Sequence, residues 1–326
     1  MVDDDKKDQK SEGRANSPAR AALMYQAAEM YFLDDISRSA IGEVLGISRF
    51  RVARLIKEAR ETGLVKITMM RPDGLDPVRA KELKALWGID RAIVVPWAPD
   101  TELFHLLSEA AASYLMEHVE EHDILGLPSG RTASRVARLI RSLPNCTVVQ
   151  IAGVAAATTL WESPTETIRR ITQLTAGPSY PMFAPIVLSS KLAAETLRQE
   201  PGIADAYAHF PRLTKALVGV APWRAGESMI HDSVSASDQR LVAAHKPAAE
   251  IFANILDTEG REIAQEFSDR ALAISISQLR AVPDVIAVGG GDNRRDAILA
   301  ALRSGFVNTL VTDSMTAQFL IEAGRR

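Results

Sequence analysis

Near the start of the chain, apolar residues recur every three or four positions, which is the spacing of one buried face of a helix. Three such stretches follow one another, and each begins after a serine suited to cap a helix: Ser17, Ser37 and Ser48. Gly46 separates the second stretch from the third, where a left-handed conformation would end a helix. The pattern predicts three short helices. The buried stripe of the third is Val52, Leu55, Ile56 and Ala59.

From about Gly74 the pattern changes to short apolar runs that alternate with helical periods. The runs span 92–96, 123–127, 146–154, 183–188, 216–221, 285–290 and 309–313. Strands that are apolar throughout are typical of a parallel sheet buried on both faces. We therefore expect a doubly wound α/β domain over residues 72–326. An all-α helix-turn-helix domain over residues 17–71 and a disordered tail over residues 1–16 would precede it.

Composition narrows the class of protein. The chain has 326 residues, of which 47% are apolar, so it can bury the cores of two domains. Its single cysteine, Cys146, excludes an internal disulfide framework and fits a reducing compartment. The N-terminus has no apolar signal region, and no run approaches the roughly 18 apolar residues of a membrane helix. We expect a soluble, cytoplasmic protein that makes no membrane contact.

Charge is distributed unevenly, although the whole chain carries only −3. Between Ser37 and Arg71, eight basic residues stand against three glutamates, so this segment is positive and the remainder is negative. A small basic domain attached to a larger acidic one is expected when only the small domain contacts nucleic acid. Double-stranded DNA is therefore the partner that we expect for the small domain.

The second and third helices match a helix-turn-helix unit, in which two short helices are joined by a tight glycine turn. Gly42 is small where the helices would cross, and Gly46 makes the turn. The third helix would enter the major groove N-terminus first, where arginine can pair with guanine and Phe50 can contact a thymine methyl. The predicted DNA contacts are Ser37, Arg38, Ser48, Arg49, Phe50, Arg51, Arg54 and Lys57.

Two other interpretations of the small domain stay open. It could be an ordinary three-helix bundle with a solvated basic face, or it could contact another protein. The protein-contact interpretation predicts no salt-dependent binding to duplex DNA, because that dependence comes from the release of ions bound to phosphate.

Three loops of the α/β domain follow strands, at the sheet edge where such domains bind ligands. Loop 126–135 offers a helix N-terminus with hydroxyl and guanidinium groups, which suits an anion. Loops 152–154 and 289–295 contain glycines, which let a ligand approach the backbone, although each could simply be a tight turn. Asp313 could accept a hydrogen bond from a hydroxyl. The predicted effector contacts are Gly126, Ser129, Gly130, Arg131, Thr132, Gly153, Gly290, Gly291, Arg294 and Asp313.

The chain from about Ser17 resembles the SorC family of sugar-binding transcriptional regulators, which is also grouped with DeoR-type repressors. The N-terminal match runs through LMYQAAEMYF and ISRSAIGEVLGISRFRVARLIKEARETGLVKI. In the α/β domain, the family's glycine-x-x-x-glycine-x-threonine loop matches Gly126, Gly130 and Thr132. Its late glycine loop matches VGGGDNRRDAILAALRSG, and its LVTD segment matches 310–313, followed by Thr316.

The resemblance implies an effector domain with the fold of sugar-phosphate isomerases and deaminases, which binds a sugar, a polyol or a sugar phosphate. It also implies a homo-oligomer, a tetramer made from two dimers, and a regulator, expected to be a repressor, of a carbohydrate or polyol operon. Departures from the family pattern affect the ligand. Arg294 stands where lysine is usual, KPAAEI replaces a Gly-Ala-Val-Gly-Asp run, and Pro128 and Ser129 replace glycine or serine followed by tryptophan. The class of effector follows from the resemblance, but its identity and phosphorylation state do not.

A sugar-phosphate isomerase or deaminase is the alternative for the α/β domain. Such an enzyme needs a positioned acid–base pair, and the related deaminases carry Asp-Gly-His where this chain has Asp292, Asn293 and Arg294. His118 and His122 could suit a metal at i and i+4, but the sequence offers no third ligand. We expect no enzymatic activity, no metal and no cofactor.

Overall fold

The computed structural model describes residues 18–65, 74–156 and 164–325. The chain divides into two units, Met1–Thr68 and Met69–Arg326. The tail predicted over residues 1–16 and the cap predicted at Ser17 lie outside the described residues.

The first unit contains the three predicted helices: α1 (Pro18–Phe32), α2 (Arg38–Leu45) and α3 (Arg49–Glu61). The Ser37 hydroxyl accepts from the amide of Ala40 and the Ser48 hydroxyl from that of Arg51, so both predicted caps are confirmed. Gly46 ends α2 at φ 65°, in the left-handed region. The buried core of this unit is formed by Ala27, Ile41, Val52, Leu55 and Ile56.

Gly42 lies where α2 meets the turn and α3, and a Cβ there would come within 2.7 Å of the carbonyl oxygen of Ile47. We expect Gly42→Ala to destabilise this unit by about 1–3 kcal/mol, because an added methyl group must push two helices apart. Chemical denaturation followed by circular dichroism measures the effect. Gly202→Ala is the matched control, because nothing lies within 4 Å of the added methyl. Equal unfolding midpoints for Gly42→Ala and the unchanged protein would contradict the close crossing.

In the described residues, the second unit is an α/β domain whose large sheet has seven strands: β1 (Arg91–Val95), β2 (Ile124–Leu127), β3 (Thr147–Gln150), β4 (Ser179–Tyr180), β5 (Lys215–Gly219), β9 (Asp284–Val288) and β10 (Thr309–Asp313). All their pairings are parallel, and their order in the sheet is β1-β10-β9-β5-β2-β3-β4. Strands β6 (Ala249–Ile251), β7 (Asn254–Leu256) and β8 (Glu262–Ile263) form a separate antiparallel sheet.

Helices cover the large sheet on both faces, as the apolar strands predict. The helices described in this unit are α4 (Pro77–Trp87), α5 (Asp100–His118), α6 (Arg131–Leu139), α7 (Pro164–Thr175), α8 (Lys191–Arg198), α9 (Pro201–His209), α10 (Met229–Ser233), α11 (Ala236–Ala244), α12 (Gln265–Ser268), α13 (Ile276–Leu279), α14 (Arg295–Arg303) and α15 (Ser314–Gly324). The sheet separates two apolar cores: Leu107 of α5 packs in one, and Leu320 of α15 packs in the other. A doubly wound, parallel α/β unit is confirmed.

One predicted strand is wrong, and the short strands β4 and β6 to β8 were not predicted. The run 183–188 is not a strand: it makes only isolated bridges, Val154 to Pro185 and Val187 to Ala271. The backbone hydrogen bonds of this run are made by Ala184, Ile186 and Leu188, and Pro185 has no N–H to donate on its other side. The antiparallel sheet β6-β7-β8 was not predicted, because its strands are only two or three residues long and leave too short a pattern to recognise.

Candidate functional site

The first candidate surface is the exposed face of α3. Phe50, Arg54 and Lys57 follow one another at i, i+4 and i+7, so they share one face of the helix, and all three are exposed. Arg49 and Arg51 are also exposed, and the Arg49 guanidinium lies 4.9 Å from the centre of the Phe50 ring. Phe50 is 68% exposed, which is unusual for a phenylalanine that only packs.

The remaining predicted DNA contacts are more engaged with the protein. Ser37 and Ser48 are exposed, but their hydroxyls accept from helix amides as caps. The Arg38 guanidinium donates to the hydroxyl of Tyr31 at 3.3 Å, and Lys57 lies 3.6 Å from a carboxylate oxygen of Glu61. Arg51 and Arg54, by contrast, form no ion pair within the described part of the chain.

The second candidate surface is a cavity of about 420 Å³ at the carboxyl ends of β2, β5 and β9, which are neighbours in the sheet. The cavity is lined by residues 128–133, which follow β2, by residues 219–221 at the end of β5, and by residues 288–291 at the end of β9. Two of the three predicted loops therefore meet here. Seven of the ten predicted contacts line the cavity: Ser129, Gly130, Arg131, Thr132, Gly290, Gly291 and Arg294.

The start of α6 forms one wall of the cavity. Gly130 occupies its N-cap position at φ 124° and offers no side chain, so no side-chain cap covers the first amides of the helix. The Ser129 hydroxyl donates to the carbonyl of Gly153 instead. The Thr132 hydroxyl lies beside Gly219: a Cβ atom placed on Gly219 would be 3.6 Å from the hydroxyl oxygen of Thr132. Amides at a helix N-terminus together with a hydroxyl suit an acidic or hydroxyl-rich ligand.

Three predicted effector contacts lie outside the cavity lining. Gly126 is inside β2, where a Cβ would be 2.8 Å from the Ile151 side chain, and Gly153 packs against Ile186. Asp313 is fully buried, and its oxygens accept from the amides of Gly291, Met315 and Thr316 and from the Thr316 hydroxyl. Asp313 therefore caps α15 and fixes the Gly291 loop. Gly153 and Asp313 support the cavity from behind.

The cavity also contains carboxylates that the sequence analysis did not identify. Glu227 accepts from the guanidinium of Arg294, with Nη2 at 2.8 Å and Nε at 3.1 Å, and from the amide of Asn293. The guanidinium of Arg131 donates to the main-chain carbonyl of Glu227. Burial favours the neutral form of Glu227, but hydrogen bonds from Arg294 and Asn293 outweigh it and lower the pKa of this carboxyl. At neutral pH, Glu227 is ionised and paired.

Glu250 is the second such carboxylate, and it is 5% exposed. Burial raises its pKa, although its oxygens accept from the Ser228 hydroxyl and from the amide of Ala253. It fixes the β6–β7 turn, where Phe252 and Ala253 have φ of 52° and 66°, values that are costly for residues other than glycine. That turn places Phe252 in the cavity wall. A single acidic residue in the apolar run PAAEIFANIL was the sequence signal for Glu250, whereas Glu227 stands in a segment without any periodic pattern.

The histidines and the cysteine that could support catalysis lie elsewhere. His118 stacks on Tyr114 with ring centres 4.1 Å apart, and its Nδ1 lies 3.0 Å from the Tyr114 carbonyl. Within ranges 18–65, 74–156 and 164–325, no group of three His, Cys, Asp or Glu residues could hold a metal ion. No helix in the same ranges is both long and apolar enough to cross a membrane.

Cys146 is a buried thiol, and burial together with the charge of Asp123 raises its pKa to about 11. Because only the thiolate attacks disulfide reagents, we expect Cys146 to resist dithionitrobenzoate at about pH 8 in the native protein. It should react fully in concentrated guanidinium chloride. Rapid labelling of the native chain, followed by absorbance of the released thiolate, would disprove the buried, protonated state.

Comparison with known proteins agrees with a small-molecule site in the α/β unit. The sequence profile of the family described as "Putative sugar-binding domain" matches residues 78–322, which contain the whole cavity. The chain belongs to the SorC family of sugar-binding transcriptional regulators. Among its relatives is the transcriptional regulator YjhU of Escherichia coli (strain K12), which is 28% identical over 308 residues, covering 90% of this chain and 93% of the relative.

Two further relatives carry names that refer to polyols. The erythritol catabolism regulatory protein EryD of Brucella abortus (strain 2308) is 26% identical, covering 92% of this chain and 96% of EryD. The crystal structure of the full-length sorbitol operon regulator SorC from Klebsiella pneumoniae superposes with a TM-score of 0.70 at 22% identity, covering 94% of this chain and all of that one. The fold of the regulator is thus shared. These relatives are named as regulators and not as enzymes, in agreement with the expectation from the sequence.

Proposed function

We propose that the chain is a DNA-binding regulator, acting as a repressor of a carbohydrate or polyol catabolic operon, whose α/β unit binds the effector. The observation that carries the proposal is a cavity lined by hydroxyl, guanidinium, amide and carboxylate groups in a member of a sugar-binding family. Such a mixture suits a small molecule with many hydroxyl groups, with or without a phosphate. The cavity volume, about 420 Å³, lies within the range of small-molecule sites.

The DNA-binding part of the proposal rests on α3. Its Arg51 and Arg54 are exposed at the N-terminal half of a helix that follows a tight turn, which is how recognition helices enter the major groove. Arg38, Arg49, Phe50 and Lys57 would add phosphate or base contacts beside them. The hydroxyls of Ser37 and Ser48 accept from helix amides as caps. Each can therefore contact a phosphate only by donating its own hydroxyl hydrogen.

The proposed mechanism is allosteric and requires an oligomer. Helix-turn-helix proteins read palindromic sites as dimers, and we propose a dimer or a tetramer with an effector domain of the sugar-phosphate isomerase and deaminase type. Effector binding would change operator affinity through a coupling of about 1–3 kcal/mol, or roughly 5- to 150-fold. That range suffices to switch a promoter.

A gel-shift titration with DNA flanking the protein's own gene tests the proposal. It should be run at two salt concentrations, with and without a panel of sugars, polyols and their phosphates. We expect binding that weakens with salt, as phosphate contacts require, and that changes with one compound of the panel. The absence of binding to any flanking duplex would contradict the proposal, and turnover of aldose or ketose phosphates would favour the enzyme alternative.

A further inference from the structure

One residue, Glu227, contacts both cations of the cavity wall, Arg131 and Arg294. The Glu227 carboxylate accepts hydrogen bonds from Nε and Nη2 of Arg294. The main-chain carbonyl of Glu227 accepts a hydrogen bond from Nη2 of Arg131. The side-chain amide of Asn293 donates a hydrogen bond of 3.3 Å to the second carboxylate oxygen of Glu227. Glu227 thus brings one segment, 224–228, into contact with the starts of both α6 and α14.

The position of the Glu227 carboxylate is suited to any oxyanion. A guanidinium directs two N–H groups to it and an amide directs a third, which is the donor set that recognises phosphate as well as carboxylate. The first amides of α6 line the same cavity without a side-chain cap. An anionic group of a ligand would therefore meet the same donors that now hold Glu227.

The pair is also placed so that it can open. Arg294 and Glu227 retain 24% and 23% of their side-chain exposure, so Glu227 can return to water when another anion takes its place. Ser228, the next residue, is buried and donates to Glu250, which anchors the segment on its far side. Opening would therefore affect Glu227 and the residues before it, and would leave α10 in place.

We propose that Glu227 is a built-in counter-ion that competes with an anionic effector for Arg294. This inference rests on the proposed function and adds a form of regulation at the same site: the Glu227–Arg294 pair must open before the phosphate or carboxylate group of a ligand can bind Arg294. Binding of the anionic group and release of Glu227 are then one event, which changes the rim of the cavity. A neutral polyol would leave the pair closed.

Thermal unfolding of the full chain with increasing inorganic phosphate, at constant ionic strength, tests the competition. Glu227→Gln removes the competing charge, and we expect its apparent Kd for phosphate to fall by about fivefold or more, as for loss of a partly exposed ion pair. Arg294→Gln should lose the phosphate response. Glu259→Gln, which breaks an exposed pair with Arg303 away from the cavity, is the matched control and should behave as the unchanged chain.

Glu227→Ala provides a second variant in case the glutamine variant folds poorly, which its melting temperature without phosphate would reveal. The inference is overturned if both Glu227 variants bind phosphate no more tightly than the unchanged chain. It is also overturned if Glu227→Gln loses binding of sorbitol while binding of sorbitol 6-phosphate stays unchanged, because Glu227 would then accept from ligand hydroxyls. The gel shift separates the two proposals: a compound that alters operator binding of the unchanged chain leaves the proposed function intact even when the counter-ion fails.

Discussion

Arg51→Ala and Arg54→Ala are each expected to weaken operator binding by about 1–3 kcal/mol, roughly 5- to 150-fold, and to relax its sequence preference. Both side chains are exposed on α3 and make no ion pair elsewhere in the described residues, so the fold does not need them. Fluorescence anisotropy with the operator and with a scrambled duplex of equal length measures both effects.

Lys57→Ala is the comparison for these two variants. Lys57 lies on the same face of α3 as Arg54, one turn later, and we propose that it contacts phosphate. Its loss should weaken binding to both duplexes alike and reduce the slope of log affinity against log salt concentration by about one. The melting temperature and the effector response of all three variants should remain those of the unchanged chain. If Arg51→Ala and Arg54→Ala keep full operator affinity, α3 is not the recognition helix.

The double variant Thr132→Ala with Arg294→Ala is expected to abolish the effect of the effector on operator binding. Thr132 and Arg294 lie on opposite loops of one cavity, after β2 and after β9. The double variant should therefore remove the protein's hydrogen-bond donors at both ends of the ligand. Operator affinity without effector should not change. The gel shift with the active compound measures the loss, which can reach the full coupling of about 5- to 150-fold.

Arg295→Ala is the matched control for the double variant. Arg295 is the neighbour of Arg294 in the chain, but its guanidinium lies 4.9 Å from the centre of the Phe319 ring, outside the cavity lining. It should respond to the effector as the unchanged chain does. A double variant that still responds fully would mean that the effector binds elsewhere.

Local signals explain why the first unit could be predicted in detail. Serine caps, a glycine turn and the apolar period all lie within about twenty residues between Ser37 and Lys57, and each acts through neighbours in the chain. The helices, both caps and the buried stripe of α3 agree with the prediction. The exposed arginines followed from the same period, because the residues that are not buried must point outwards.

The cavity was predictable only in part, because it depends on which strands are neighbours. Loops 126–135 and 289–295 meet since β2 and β9 flank β5, whereas β3 lies one strand further out and Gly153 is covered by Ile186. The sequence pattern identifies strands but not their order. Glu227 and Glu250 could not be assigned for the same reason: their partners, Arg294 and Ser228, are placed by the tertiary fold.

The sequence by itself therefore determined the division into two units, the three helices with the caps of α2 and α3 and the turn between them, six of the parallel strands, and the basic face of α3. These features follow from periodicity, capping and charge, which act over a few residues. Only the tertiary structure decided that Asp313 is a buried cap, that Gly126 and Gly153 are packed inside, and that Glu227 pairs with Arg294. Each of these depends on contacts between residues far apart in the chain, and the packing of the sheet and its helices fixes those contacts.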